Sequence, residues 1–392
     1  MTTSAQLPFP QTHPLELPPQ LRKLQCRGTI HRIRTPLGHK AWLVTGYANV
    51  RRLFDDDRLG RAHPEPDTAA RIGESALFGG PRGNFDTEEA DHSRNRALLA
   101  PHFSPKHLRT LTPRVQALTS GLLDALAHQG PPADLHTKLA LPLPILVICE
   151  LLGVPHLDRD QFCEWAQEAA DVGDHTRSER GLAELFGYSK KLVEHKRSHP
   201  GDDVISRLCA TAGVCDDEAA RLSMALLAAN ETTVVAIEFA ALSLLANPTQ
   251  WRALLDNAAL IPTAVEELLR ATGSSGSVGG IPRYARTDFE IDGVSIRAGE
   301  LILLDIKAAN HDPTVFKDPG RLDITCKHAA HLTFGYGTRY CMGAPLARIE
   351  LKTVLSQLIP RFPSMHLTVD PATLRVRSDV LTSGLIELPV SW

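Results

Sequence analysis

Seven cysteines are scattered through the 392 residues, and one of them has a setting that an ordinary buried cysteine does not need. Cys341 stands in the stretch FGYGTRYCMG, with Gly335 and Gly337 before it, Gly343 after it and Arg339 two residues upstream. Glycine tolerates positive φ and lets backbone approach a neighbouring surface, so the spacing predicts a tight loop against something flat or bulky. The run that follows places apolar residues at helical intervals from Leu346 to Ile359, which puts Cys341 at or near a helix N-terminus. Amides there favour an anionic sulfur.

A single thiolate held in a glycine-rich loop that can lie against a planar macrocycle is suited to axial ligation of haem iron. Backbone N–H groups aimed at the sulfur would tune its donor strength. Three further groups of residues bear on such a site. Glu267 and Arg270, three apart in AVEELLR, are neighbours on one helix face; with Arg321 in the proline-bounded NHDPTVFKDPGRLD they could clamp the chain just before the cysteine loop. His92 and Arg96, four apart, together with Arg283 and Arg339, form a cationic set able to pair two carboxylates through charge-assisted hydrogen bonds. The third group lies in LLAANETTVV, where Asn230, Glu231, Thr232 and Thr233 interrupt Ala, Leu and Val. A charged, hydroxyl-bearing turn inside a buried helix is costly unless it is paired or functional.

The elements that must position these residues are mostly helical. Helical periodicity dominates from about residue 92 to 272, punctuated near Pro131, Pro155, Pro200 and Pro248. One long helix is expected over 216–247, from an acidic start to Pro248, spanning about 45 Å at roughly 1.5 Å per residue. Strand patterns occur in KAWLVTGY, FEIDGVSI, ELILLDI, LRVRSDV and LIELPVSW. The expectation is a mainly α fold with small β-sheets, a single domain over 1–392 behind a proline-rich stretch of about residues 1–20. With 43% hydrophobic residues a large core is available, and the net charge of −3 gives no reason to expect nucleic acid or an anionic membrane as partner. The cysteines form no CxxC pair, so neither a disulfide framework nor a thiolate zinc site is written, and a reducing cytoplasm fits. The apolar run LALPLPILVICELLGVP is broken by Pro142, Pro144 and Glu150 and is too short to span a bilayer.

Taken together, FGYGTRYCMGAPLAR, EELLR, ANHDPTVFKDPGRLD and AANETT stand in the order of the haem loop, K-helix, meander and I-helix motifs, and the chain resembles a bacterial cytochrome P450 over its whole length. The resemblance implies haem b with Cys341 as iron ligand, propionate partners in His92, Arg96, Arg283 and Arg339, and further haem contacts at Phe334, Gly335, Gly343 and Ala228. It implies a structural triad of Glu267, Arg270 and Arg321, and Glu231 with Thr232 as the acid–alcohol pair that delivers protons. Ala229 departs from the family's usual glycine, and Leu322 from its usual phenylalanine. The implied activity is insertion of one atom of O2 into a C–H bond of a hydrophobic small molecule, by hydroxylation or epoxidation. Electrons would come from NAD(P)H through a ferredoxin and its reductase. Likeness to actinomycete antibiotic-tailoring members suggests a macrolide, polyene or terpenoid-lactone substrate. Oxidative coupling, desaturation and peroxide-driven chemistry are the alternatives, the last opposed by the Glu231–Thr232 pair.

Overall fold

The computed structural model describes residues 5–76, 79–171, 173–227, 229–272, 279–326, 330–377 and 382–392. Helix accounts for 53% of the chain, as expected. Two short helices, α1 (Pro19–Gln25) and α2 (Tyr47–Phe54), alternate near the N-terminus with strands β1 (Ala5–Gln6), β2 (Ile30–Arg34), β3 (Lys40–Val44) and β4 (Leu59–Gly60). Then come α3 (Glu88–Leu99), α4 (Pro105–Gln129), the two-residue β5 (Ala133–Asp134) and α5 (Pro142–Leu152), followed by α6 (Arg159–Ala169), α7 (His175–Ser198) and α8 (Val204–Ala210). The centre is built by α9 (Asp216–Leu227) and α10 (Glu231–Leu245), with α11 (Pro248–Asp256) and α12 (Ile261–Thr272) after them. Strands β6 (Ile281–Ala285), β7 (Phe289–Ile291), β8 (Val294–Ile296) and β9 (Leu301–Leu304) lead to α13 (Ile306–Asn310) and α14 (Ala344–Arg361), and β10 (His366–Leu367) and β11 (Pro389–Ser391) close the chain.

Local chemistry explains many boundaries. Ser104, Asp174, Asp203 and Asp305 each accept a backbone N–H at the start of α4, α7, α8 and α13, satisfying donors that have no partner within the helix. Helix α5 stops where Gly153 turns left-handed at φ 68°. In FEIDGVSI, Asp292 and Gly293 take positive φ and reverse β7 into β8.

The main sheet has the order β1-β2-β3-β9-β6-β4, and β4 lies antiparallel to β6 with Gly60 opposite Tyr284. Of the C-terminal strand patterns, LIELPVSW supplies β11, whereas the described part of LRVRSDV contributes only an isolated bridge from Val376 to Leu385.

The single helix expected over 216–247 is two helices. It breaks at Ala229 and Asn230, where Ala229 N–H and Thr233 N–H bond to carbonyls three residues back and the Asn230 amide caps Leu227 O at 3.1 Å. By length and hydropathy alone Asp216–Leu245 could cross a membrane. Here α10 is core: Val234, Val235 and every residue from Ile237 to Leu245 are buried, packed among α5, α11, α12 and α14.

Candidate active site

Helix α14 begins at Ala344 with Gly343 as its N-cap, so Cys341 sits just ahead of the first turn. The loop is pinned from both sides: Cys341 N–H donates to Phe334 O at 2.9 Å and Gly335 N–H to Leu332 O at 2.8 Å. Gly335 and Gly337 have φ of 73° and 70°. At Gly337 a Cβ would fall 1.8 Å from the Asp55 carboxylate, which instead accepts the Thr338 N–H at 3.1 Å. That close approach is to the end of α2. The N–H groups of Gly343 and Ala344 point at the Cys341 sulfur and, with Arg96 and Arg348, pull its pKa down, yet burial outweighs them and the thiol is pushed up. The amides do favour an anionic sulfur, and a bound cation replacing the proton would act in the same direction against burial. The residue as a whole is accessible although protein surrounds the sulfur.

Helix α12 holds this loop with two adjacent carboxylates. Glu267 takes the Arg270 guanidinium in a bidentate pair at 2.7 and 2.8 Å, and Arg270 also donates to the carbonyls of Asn310 and Pro319 at 3.0 Å each. Both are essentially buried, at 2% and 1% exposure. Arg321 is exposed where the chain turns, and a bond from this region reaches Glu267 from the Asp323 N–H at 3.1 Å. A main-chain donor reaches the carboxylate where the guanidinium was expected. Glu266, overlooked in the sequence, pairs with Arg348 of α14 at 2.7 and 2.8 Å, and Arg348 reaches the Tyr340 hydroxyl and lies over the Phe334 ring at 4.6 Å. Burial raises the Glu266 pKa, but Arg348 and His331 outweigh it and hold the carboxyl at about 2. The doubled Glu in EELLR was the available signal.

The predicted cations do converge. Arg96 donates to Tyr340 O at 2.7 Å, tying α3 to the cysteine loop. Arg339 meets Glu88 and Glu89 at 3.1 and 3.2 Å. Arg283 is 3% exposed, hydrogen-bonds to Pro282 O and packs 5.9 Å from the Phe54 ring. Burial first, then Arg61 and Arg339, lower its pKa to about 9. The His92 pKa is lowered, because burial and Arg339, Arg61 and Arg96 outweigh the opposite pull of Glu89. Glu231 and Thr232 form the first turn of α10, and the Thr232 hydroxyl donates to Ala229 O at 3.2 Å. Ala228 lies outside the described residues.

A family model described as Cytochrome P450 matches residues 196–381. The chain is 41% identical to pentalenolactone synthase of Streptomyces exfoliatus over the full length of both, and 36% identical to mycinamicin IV hydroxylase/epoxidase of Micromonospora griseorubida over 98% of each. The chain belongs to the cytochrome P450 family. Among solved P450 structures, substrate-free PimD, a polyene macrolide antibiotic pimaricin epoxidase, superposes with a TM-score of 0.90 at 37% identity, covering all of both chains. This P450 is a monooxygenase by family, and the family's cofactor is haem. Haem brings an iron that accepts a thiolate and two carboxylates that need cations. A Cys341 thiol backed by two amides with Arg96 nearby, and a buried Arg283 close to Arg339, fit both ends of it.

Proposed function

We propose that this enzyme inserts one oxygen atom from O2 into a C–H or C=C bond of a hydrophobic secondary metabolite, drawing electrons from NAD(P)H through a ferredoxin and its reductase. The observation that carries the reading is the Cys341 loop: one thiol just ahead of a helix start, with the N–H groups of Gly343 and Ala344 on its sulfur and Arg96 nearby. Haem bound there supplies iron-centred activation of O2. Cys341 holds the iron, with the N–H groups of Gly343 and Ala344 moderating its charge. Arg96, Arg283 and Arg339, with His92 as a hydrogen-bonding partner, orient the propionates, and the Glu267–Arg270 pair fixes the chain behind the loop. Thr232 holds a water with its hydroxyl oxygen while its proton is engaged by Ala229 O, and Glu231 passes protons to that water. A relative named pentalenolactone synthase and a neighbour titled a polyene macrolide antibiotic pimaricin epoxidase support a macrolide, polyene or terpenoid-lactone substrate.

The test is spectroscopic and then kinetic. Cys341→Ala should abolish the thiolate-type carbon monoxide difference band, whereas Cys26→Ala or Cys326→Ala should keep it; a normal band in Cys341→Ala would reject the ligand assignment. With ferredoxin, reductase and NAD(P)H, the wild-type enzyme should consume O2 and form an oxygenated product. Turnover driven equally well by peroxide alone would favour the peroxide-driven alternative.

A further inference from the structure

A groove of about 890 Å³ lies between α1 and strands β1, β2 and β3, and its lining includes no residue of α10, α12, α14 or the cysteine loop. Its charge is one-sided. Lys23 and Arg27 line it from α1, Arg32 and Arg34 from β2 and Lys40 from β3, and all five are exposed. Among the described residues the lining holds one carboxylate, Glu300, and that one is engaged. Its Oε2 accepts the Trp42 Nε1–H at 2.8 Å and the Arg297 N–H at 2.9 Å, and its Oε1 lies 3.8 Å from Arg32. No carboxylate of the described residues pairs with Lys23, Arg27, Arg34 or Lys40. Arg34 stands directly opposite Lys40 in the β2–β3 ladder, and like charges so placed weaken a sheet. On a chain whose net charge is −3, positive charge gathered this way makes a local field that draws an acidic partner.

Shape and charge distribution together select the occupant. A small ligand is held in a mostly apolar cavity by a few polar groups that converge on it. Here the cations are exposed and spread over three elements, which matches charges spaced along a chain. Between them the groove is apolar, lined by Ile33, Ala41, Trp42 and Leu301, with the Arg32 guanidinium 4.4 Å from the centre of the Trp42 ring. Apolar ground between cations suits the mixed side chains of a polypeptide, whereas a phosphate backbone has nothing to place on it. A flat bilayer would touch the rim and leave the concave part empty.

We propose that this groove docks an extended acidic segment of a partner protein, its carboxylates meeting Lys23, Arg27, Arg34 and Lys40 and its apolar side chains resting between them. The site is separate from the chemistry at Cys341 and does not depend on it. The haem-loaded enzyme is titrated by fluorescence anisotropy with a labelled peptide alternating Glu and Leu, beside a peptide of equal length with Gln in place of Glu. The Glu peptide should bind at least about tenfold more tightly, a difference of about 1.4 kcal/mol. Added salt should compress that preference. Lys23→Glu/Arg27→Glu/Lys40→Glu should abolish it while the carbon monoxide band stays that of the wild type, and Lys23→Arg/Lys40→Arg should keep it. Equal binding of the two peptides overturns the proposal. An intact preference in the triple variant also overturns it, by moving the peptide to another cationic face such as Lys106 and Arg109. Tripolyphosphate that binds as tightly as the Glu peptide and is lost in the triple variant would make this a small-anion site and reject the docked segment. Phosphatidylserine vesicles or a DNA duplex that bind more tightly than the peptide through the same residues would reject it too, as would sedimentation of the wild type as a dimer and of the triple variant as a monomer. Where the triple variant loses the carbon monoxide band, Lys23→Glu and Lys40→Glu are measured singly: each should weaken the Glu peptide about twofold or more, and no change in either counts against the groove.

Discussion

Thr232 shows how much one hydroxyl leaves open. Its proton is directed at Ala229 O, 3.2 Å away, which is where a threonine in a helix commonly places it. The oxygen still has lone pairs to hold a water, and the side chain is exposed at the turn where α9 gives way to α10. If that water serves proton delivery, Thr232→Ala should still bind substrate and accept electrons but divert them to hydrogen peroxide. Product formed per NAD(P)H should fall severalfold. Thr233→Ala, about 100° further round the helix, should affect the ratio less. Unchanged coupling in Thr232→Ala would reduce the residue to its bond with Ala229 and leave proton delivery to Glu231.

At the scale of elements, α12 is the part that joins sites far apart in sequence. Its Glu267–Arg270 pair is buried and reaches the carbonyls of Asn310 and Pro319, while Glu266 reaches Arg348 on α14. Removing one member of a buried pair strands the other's charge, so Arg270→Ala should cost about 3 to 5 kcal/mol in denaturant unfolding. Arg321→Ala, an exposed position, should cost within about 0.5 kcal/mol. A large loss at Arg321 would show that it pairs with Glu267 after all.

A second link between elements is set by His136 and the buried Glu238 of α10, 2.5 Å apart, with the other Glu238 oxygen accepting the Leu385 N–H at 2.8 Å. The bond to Glu238 raises the His136 pKa above 6.5; Asp134 adds to the rise, while burial and Arg377 oppose it. A raised histidine pKa stabilises fully below the unfolded value and loses that contribution as pH climbs through the folded one. The stability gap between wild type and His136→Gln should therefore be widest below about pH 6.5 and narrow as pH rises further. A gap that widened with pH would contradict a charged pair.

For the whole molecule, a net charge of −3 would repel an acidic electron donor unless positive charge is gathered locally. Lys106 and Arg109 are exposed at the start of α4, the helix that packs against α14 behind the cysteine loop. Docking there would give a short path to the iron. Reversing both charges should slow reduction by the ferredoxin about tenfold or more at low salt and leave substrate affinity unchanged. Salt should slow the wild type by screening, with a Debye length of about 10 Å at 0.1 M. A flat salt series in stopped-flow reduction would exclude electrostatic docking on this face.

What could be read from the sequence alone was what depends on near neighbours along the chain. The helix start behind Cys341, the pairing of Glu267 with Arg270 three residues on, and the reversal at Asp292-Gly293 each follow from a few residues and the period of the element. Tertiary structure decided whatever depended on partners brought from elsewhere. The polar interruption at Asn230–Thr233 does not by itself tell a functional turn in a continuous helix from the break found at Ala229 and Asn230, and no spacing points to the Asp323 N–H as a partner of Glu267. The sign of the Cys341 shift and the meeting of Arg61 with Arg283 lay equally out of reach, because burial and charge balance are sums over neighbours that only folding assembles.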